Sequence, residues 1–269
     1  MNLPPLTWLY VPADRPDRVE KAIGSAAHAV IVDLEDGVPP GAKAEARANL
    51  PALLGHPRDK PVYVRINAGD ADDLGAVSAL AVAGVFVPKV TAPGDIPSIG
   101  LPIHCLIESA AGVEAAYEIA KAPGVAGISL GEADLRSETG ALEAGLDWAR
   151  SRIVNAAVAA GLPRPPQSVY PHLNDDEALA RSCRRGRELG HLGRSAIHPA
   201  QLVIIEQAYL PSEEETARAR ATVERLEHAL GAATLASGEF VDAAMLGAAR
   251  QIIAVATRYG TSGPVSVDD

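Results

Sequence analysis

The feature that most limits what this chain can fold into is a run of short β-rich segments spaced along its first two hundred residues. They are "TWLYV" (7–11), "AVIVDL" (29–34), "VYVRI" (62–66), "VFVPKV" (85–90), "IHCLIE" (103–108), "AGISL" (126–130), "QSVY" (167–170) and "SAIH" (195–198). Most are followed by alanine-rich, charge-dotted stretches that fit helices, such as "RPDRVEKAIGSAA", "AEARANLPALL" and "AAGVEAAYEIAKA". Strands that are apolar throughout must be covered on both faces, so the alternation predicts a parallel sheet wrapped by helices. Eight such units predict an α/β fold of the TIM (β/α)8 barrel type. An open doubly wound sheet is the alternative. Its glycine-rich phosphate loop is missing: "PADRP" follows the first strand.

The 269 residues suit one barrel, and a hydrophobic content of 48% supplies a large core. Aromatics make up only 4% and the net charge is −10, which argues against an aromatic nucleic-acid platform and against polyanion binding as the main task. No apolar run approaches the roughly 20 residues of a membrane span. The start, "MNLPPLTWLYVPADRP", lacks the basic and apolar regions of a signal peptide. Cys105 and Cys183 are isolated in sequence, which suggests a reducing, cytoplasmic setting and neither a disulfide framework nor a zinc site.

Past the eighth run, "PSEEETARARATVERLEHALGA" (211–232) opens with Pro and Ser ahead of three glutamates, a good helix start. "TLASGE" reads as a linker, "FVDAAMLGAARQIIAVATRYG" as another helix, and "TSGPVSVDD" as a frayed end. Residues 1–210 are therefore expected to form the barrel and 211–269 a C-terminal helical arm.

Active sites of TIM barrels sit at the C-terminal ends of the strands. In this chain ionisable residues recur there: Asp14 and Arg15, then Glu35 and Asp36, Arg65, Lys89, Glu108, Glu132 with Asp134, and His198. Glu108 and Asp134 are hard oxygen donors without a His or Cys companion at ligand spacing, which suits Mg²⁺ better than zinc. The alternative is two loop acids paired with arginines. Arg65 is placed to clamp a carboxylate or enolate oxygen, and also to pair with Glu35 or Asp36. Those two acids are expected to orient Arg65, Lys89 or metal-bound water rather than to bind metal directly. Asp33 lies within its strand and is expected to pair inside the barrel. Lys89 reads either as a Schiff-base lysine or, preferably, as an electrostatic partner of Glu35 and Glu108. Arg15, Arg18 and Lys21 form one basic cluster. Arg181, Arg184, Arg185, Arg187 and Arg194 form another, read first as a solvated helix face. His198 has no Ser or Cys partner and reads as structural.

The motifs "LYVPADRPDRVEKA", "VDLEDGV", "VRIN", "VPKV", "IESAAGV", "GEADL" and "AIHPAQL" occur in the order seen in citrate lyase beta-subunit-like proteins of the HpcH/HpaI aldolase superfamily, which this chain resembles from about residue 7 to 250. The resemblance implies a TIM barrel, a bound Mg²⁺ held by Glu108 and Asp134, and assembly as a homotrimer or hexamer. It also implies carbon–carbon bond chemistry on 3-hydroxyacyl thioesters, with an oxo acid and an acyl-CoA as the small-molecule partners. Two departures stand out. The chain reads Gly131-Glu132-Ala133-Asp134-Leu135 where many relatives read G-x-E-D-L, and Val169-Tyr170-Pro171-His172 where many read V-Y-x-D. By the same resemblance Asp242, in "GEFVDAAML", is an acid supplied to a neighbouring subunit's active site. Read from the residues alone it is a helix N-cap. Arg15 is the residue of the first basic cluster expected to meet coenzyme A phosphate.

Overall fold

The computed structural model describes residues 3–227, 232–235 and 237–260. The chain divides into two compact units, Pro4–Tyr209 and a second from Leu210 onward that also takes in Leu3.

The first unit is a TIM-type α/β barrel. Its strands are β1 (Thr7–Pro12), β2 (Ala29–Asp33), β3 (Val62–Arg65), β4 (Gly84–Val87), β5 (Ile103–Ile107), β6 (Val125–Leu130) and β7 (Arg194–Ala196). They form one parallel sheet in the order β6-β5-β4-β3-β2-β1-β7. Its helices are α1 (Pro16–Gly24), α2 (Lys43–Leu54), α3 (Ala71–Ser78), α4 (Ala110–Glu114), α5 (Ala116–Ala120), α6 (Glu132–Thr139), α7 (Asp147–Ala159), α8 (Asp176–Glu188) and α9 (Gln201–Tyr209). Every residue of β2, β4 and β5 is buried, as a sheet covered on both faces requires.

Alternate residues of each strand fill the barrel interior. Trp8, Ile31, Phe86 and Leu106 form the cluster there, with Tyr10 and Tyr63 packed against it. Four of the chain's few aromatics are thus spent inside the barrel. The Phe86 ring stacks on His104 at 4.3 Å. A Cβ at Gly127 would lie 2.5 Å from that imidazole, so glycine is needed on the neighbouring strand.

The run "QSVY" is not a strand. Only Gln167 pairs, through an isolated parallel bridge to Arg194. Pro165 and Pro166 precede it and Pro171 follows, and prolines withhold the ladder donors that a longer strand needs. Side-chain bonds replace the ladder: Ser168 Oγ donates to the Leu130 carbonyl and accepts from Glu132 N at 3.1 Å. The expected 110–122 helix is also broken, into α4 and α5 at Ala115.

The second unit contains α10 (Glu213–Glu227), a two-stranded antiparallel hairpin of β8 (Ala232–Thr234) and β9 (Phe240–Asp242), and α11 (Leu246–Tyr259). A reciprocal cap opens α10: Glu215 N donates to Ser212 Oγ at 3.0 Å and Ser212 N to Glu215 Oε2 at 2.7 Å. "TLASGE" therefore joins hairpin strands rather than two helices, and α11 starts at Leu246, not Phe240. Residues 228–231, 236 and the end segment 261–269 lie outside the described residues.

Candidate active site

The cluster at the barrel mouth grows from the parity of the strands. Inward positions of β2 run Ala29, Ile31, Asp33, and those of β3 run Tyr63, Arg65. Asp33 and Arg65 are register partners at the ends of their strands. Asp33, buried, accepts from Arg65 Nε at 2.7 Å and from Nη2 at 2.6 Å. Its oxygens also take the backbone N–H of Glu35 at 2.9 Å and of Gly37 at 2.8 Å. Arg65 Nη1 lies 2.8 Å from Glu35, and the guanidinium carbon lies 5.1 Å from the centre of the Tyr10 ring. Burial opposes the Arg65 charge, but hydrogen bonds and charge from Asp33 outweigh it, and its pKa lies above the ordinary arginine value.

Glu35 is buried and joins two cations, because its other oxygen lies 2.7 Å from Lys89 Nζ. That contact holds the Lys89 pKa above the usual lysine value. Lys89 has φ of 57°, a left-handed conformation that side chains other than glycine rarely adopt. The twist aims its backbone N–H at Glu108 Oε2, 2.9 Å away, while Nζ reaches Glu35.

Glu108 follows β5 and is buried. Burial pushes its carboxyl up to about 7, helped by the charges of Glu35 and Asp134 and opposed by the Lys89 amide and Arg65. A Cβ on Gly131 would sit 2.4 Å from Glu108 Cγ, so the glycine opening α6 makes room for this side chain. Asp134, in the first turn of α6, is exposed. Glu132 has both oxygens taken by buried Arg150, at 2.8 and 2.6 Å.

A cavity of about 990 Å³ is lined by Tyr10, Asp33, Asp36, Arg65, Glu108, Asp134 and Tyr170 among others, whereas Glu35 and Lys89 do not line it. Two carboxylates able to face one space, Glu108 and Asp134, are a fitting pair for Mg²⁺ completed by water and ligand oxygens. Among the described residues no group of three or more His, Cys, Asp and Glu is placed for a metal, which disfavours an all-protein cage. Asp36 is exposed on the cavity wall.

Arg15 and His198 do not line the cavity. Arg15 is exposed, 3.7 Å from Asp17. His198 is exposed, and its Nδ1 accepts from Ala200 N at 3.2 Å. Asp242 belongs to the second unit, where its carboxylate accepts from Ala244 N at 2.9 Å and caps a short 3₁₀ turn (Ala243–Met245) ahead of α11. The second basic cluster is not one helix face: Arg181 and Arg185 project from α8 into the cavity lining, whereas Arg194 is a buried residue of β7.

Sequence reasoning missed Asp33 as the partner of Arg65, and Tyr10 beneath it. The available signal was strand parity, which puts Trp8, Tyr10, Ile31, Asp33 and Arg65 all inside. It also missed the Glu132–Arg150 pair, for which nothing local gives a sign.

The profile of the HpcH/HpaI aldolase/citrate lyase family matches residues 6–100 and 98–199. A (3S)-malyl-CoA thioesterase of Cereibacter sphaeroides is 34% identical over 92% of this chain and 93% of its own. An L-malyl-CoA/beta-methylmalyl-CoA lyase of the same species is 30% identical over 91% and 92%. The structure of CitE from Mycobacterium tuberculosis in complex with magnesium, acetoacetate and coenzyme A superposes with a TM-score of 0.82 at 33% identity, covering 94% of this chain and 98% of that one.

Proposed function

This chain belongs to the HpcH/HpaI aldolase/citrate lyase family, and on that premise we propose that it is a Mg²⁺-dependent lyase cleaving the C2–C3 bond of a 3-hydroxyacyl-CoA thioester of malyl, citramalyl or citryl type. The observation that carries this reading is the meeting of Arg65, Glu108 and Asp134 on one cavity at the strand ends. The lyase relative and the magnesium- and coenzyme-A-bound neighbour support it.

In this reading Glu108 and Asp134 hold the Mg²⁺, which when bound supplies a Lewis acid toward substrate oxygens. Arg65 has five N–H donors. Asp33 and Glu35 occupy three of them, leaving two for the carboxylate of the oxo-acid half. Cleavage removes the proton of the 3-hydroxyl and breaks C2–C3. The electron pair passes into the thioester as an enolate, and C2 then takes up a proton. Arg65 opposes the negative charge that builds on the way. Lys89 acts as a fixed charge rather than a Schiff-base nucleophile, because Glu35 keeps it protonated. Asp36 orients water at the rim. Asp242 of a neighbouring subunit supplies the acid, with the second unit packing on that neighbour in a cytoplasmic homotrimer or hexamer, and Arg15 meets coenzyme A phosphate.

A second reading keeps the site and changes the product. The thioesterase relative favours hydrolysis of a malyl-type thioester. Incubation of the isolated protein with Mg²⁺ and a panel of acyl-CoA thioesters separates the two: oxo acid without free thiol means lyase, and thiol release means hydrolysis. Absence of turnover until partner proteins are added would instead mark a subunit that works only within a citrate lyase complex.

A further inference from the structure

Six arginines line the cavity: Arg65, Arg136, Arg150, Arg181, Arg185 and Arg194. Five are paired with carboxylates. Arg65 has Asp33 and Glu35, Arg136 has Glu143, Arg150 has Glu132, Glu143 and Asp147, Arg181 has Glu177, and Arg185 has Asp147 and Glu188. Arg194 alone forms no ion pair among the described residues, although it is only 3% exposed. Its contacts are all neutral. Nη1 donates to Gln167 Oε1 at 3.2 Å, Ser182 Oγ at 2.9 Å and Cys183 Sγ at 3.8 Å. The guanidinium carbon lies 5.4 Å from the centre of the Tyr170 ring, and Nε, buried, has no acceptor.

A buried charge without a counter-ion is unfavourable, and proteins ordinarily pair or neutralise it. An arginine keeps its proton, so it cannot escape by titrating. The remaining resolution is a counter-ion that arrives with the ligand. The place is separate from the Arg65 cluster: Arg194 is in register with Thr7 at the start of β1, whereas Arg65 is in register with Asp33 at the end of β2.

We propose that Arg194 is the anchor of a second anion site in this cavity, taking an oxyanion, carboxylate or phosphate, that the ligand carries away from its reacting carbon. That the ligand is an acyl thioester rests on the lyase reading; the anion site itself does not. Gln167 and Ser182 hold one edge of the guanidinium, and Tyr170 covers its face, so the fork is fixed before the anion arrives.

The test measures anion binding without turnover. Thermal melting and calorimetric titration at constant ionic strength are run with inorganic phosphate and, separately, with glutarate. At least one should raise the wild-type melting temperature saturably; a phosphate response assigns a phosphate-bearing ligand, and a glutarate response a second carboxylate. Arg194→Gln should weaken that binding about tenfold or more, while its ligand-free melting temperature stays level or rises because the lone charge is gone. Gln167→Glu places a carboxylate beside the same guanidinium and should likewise blunt anion binding while holding the ligand-free melting temperature. If Arg194→Gln does not fold, Gln167→Glu decides alone. The proposal is overturned if neither anion binds the wild type, if either folded variant responds as the wild type does, or if Gln167→Glu melts well below it, which would make Arg194 a neutral-partnered brace. A protein that turns over no thioester but loses its anion response in these variants would sink the lyase reading and keep the site.

Discussion

Asp33 and Arg65 face each other across neighbouring strand ends with two parallel hydrogen bonds, Nε to Oδ1 at 2.7 Å and Nη2 to Oδ2 at 2.6 Å. The pair sets the plane of the guanidinium, and the same carboxylate pins the turn that carries Glu35. Arg65→Lys keeps the charge and loses the planar fork. It should cost about one to a few kcal/mol of transition-state stabilisation, roughly tenfold or more in rate. Asp33→Asn should lower kcat in the same direction with Arg65 intact, because an amide cannot accept both guanidinium bonds. Steady-state kinetics checks both. Wild-type kcat in either variant would remove Arg65 from the reacting centre.

The metal assignment predicts that Glu108→Gln and Asp134→Asn each abolish activity and weaken Mg²⁺ binding while circular dichroism and melting stay close to wild type. A buried carboxyl whose pKa is about 7 must shed its proton to bind a cation, so Mg²⁺ affinity in the wild type should fall as pH drops below that value. Calorimetry across roughly pH 6 to 8 reads the slope. Full activity in EDTA would end the assignment.

Much of the barrel was legible in the sequence, and the gaps have physical causes. β1 through β6 show as apolar runs because a sheet covered on both faces needs them. The same continuity hides which face each residue takes, so Asp33 inside β2 gave no sign of its partner on β3, 32 residues later. Glu132 and Arg150, 18 residues apart on α6 and α7, meet only through the packing of those helices. Around Gln167 a β-rich run yields a single bridge, because Pro165, Pro166 and Pro171 flank it and withhold ladder donors. Arg194 follows the arginines of α8 closely in sequence, and only its place in β7 shows it to be buried.

Gly131 offers a test of the site that alters no ionisable group. An alanine methyl would meet Glu108 Cγ at 2.4 Å, so Glu108 must swing away from its place near the Lys89 amide. Gly131→Ala should weaken Mg²⁺ binding by about tenfold or more and lower activity in parallel, with excess Mg²⁺ restoring part of it. Unchanged Mg²⁺ affinity in a folded Gly131→Ala protein would show that Glu108 is not held where the metal needs it.

His104 and His191 predict an acid limb of stability. Burial lowers both imidazoles from 6.5 to about 4. The native rings stay neutral while the unfolded chain takes up protons, so each site subtracts stability as pH falls from about 6.5 to about 4, by up to about 3 kcal/mol in total linkage per group. Glu108 works oppositely in metal-free protein: its raised carboxyl adds stability as pH falls from about 7 toward its unfolded value. Comparison of variants isolates the histidine. His104→Gln loses the stacking on Phe86 but also the titration, so its melting temperature should start lower at neutral pH and then fall less steeply toward pH of about 4.5 than the wild type. Parallel curves would mean that the buried ring does not control the limb.

Asp242 caps a turn in its own chain, and the proposed shared site would give the same side chain a second role. Within its own chain it caps the turn before α11 through the Ala244 amide. A carboxylate so engaged keeps its second oxygen available, and in the proposed lyase that oxygen serves a neighbouring subunit's enolate. The cap alone predicts that Asp242→Asn, whose amide oxygen still accepts from Ala244 N, leaves activity untouched. The shared-site proposal predicts that Asp242→Asn is inactive although folded, and that Glu108→Gln is inactive for a different reason. Mixing the two after subunit exchange should then return activity, because some sites combine an intact Glu108 from one chain with an intact Asp242 from another. Native mass spectrometry verifies the exchange and the assay reads the product. Exchange without recovered activity would leave Asp242 as a cap and place the missing acid elsewhere in the barrel.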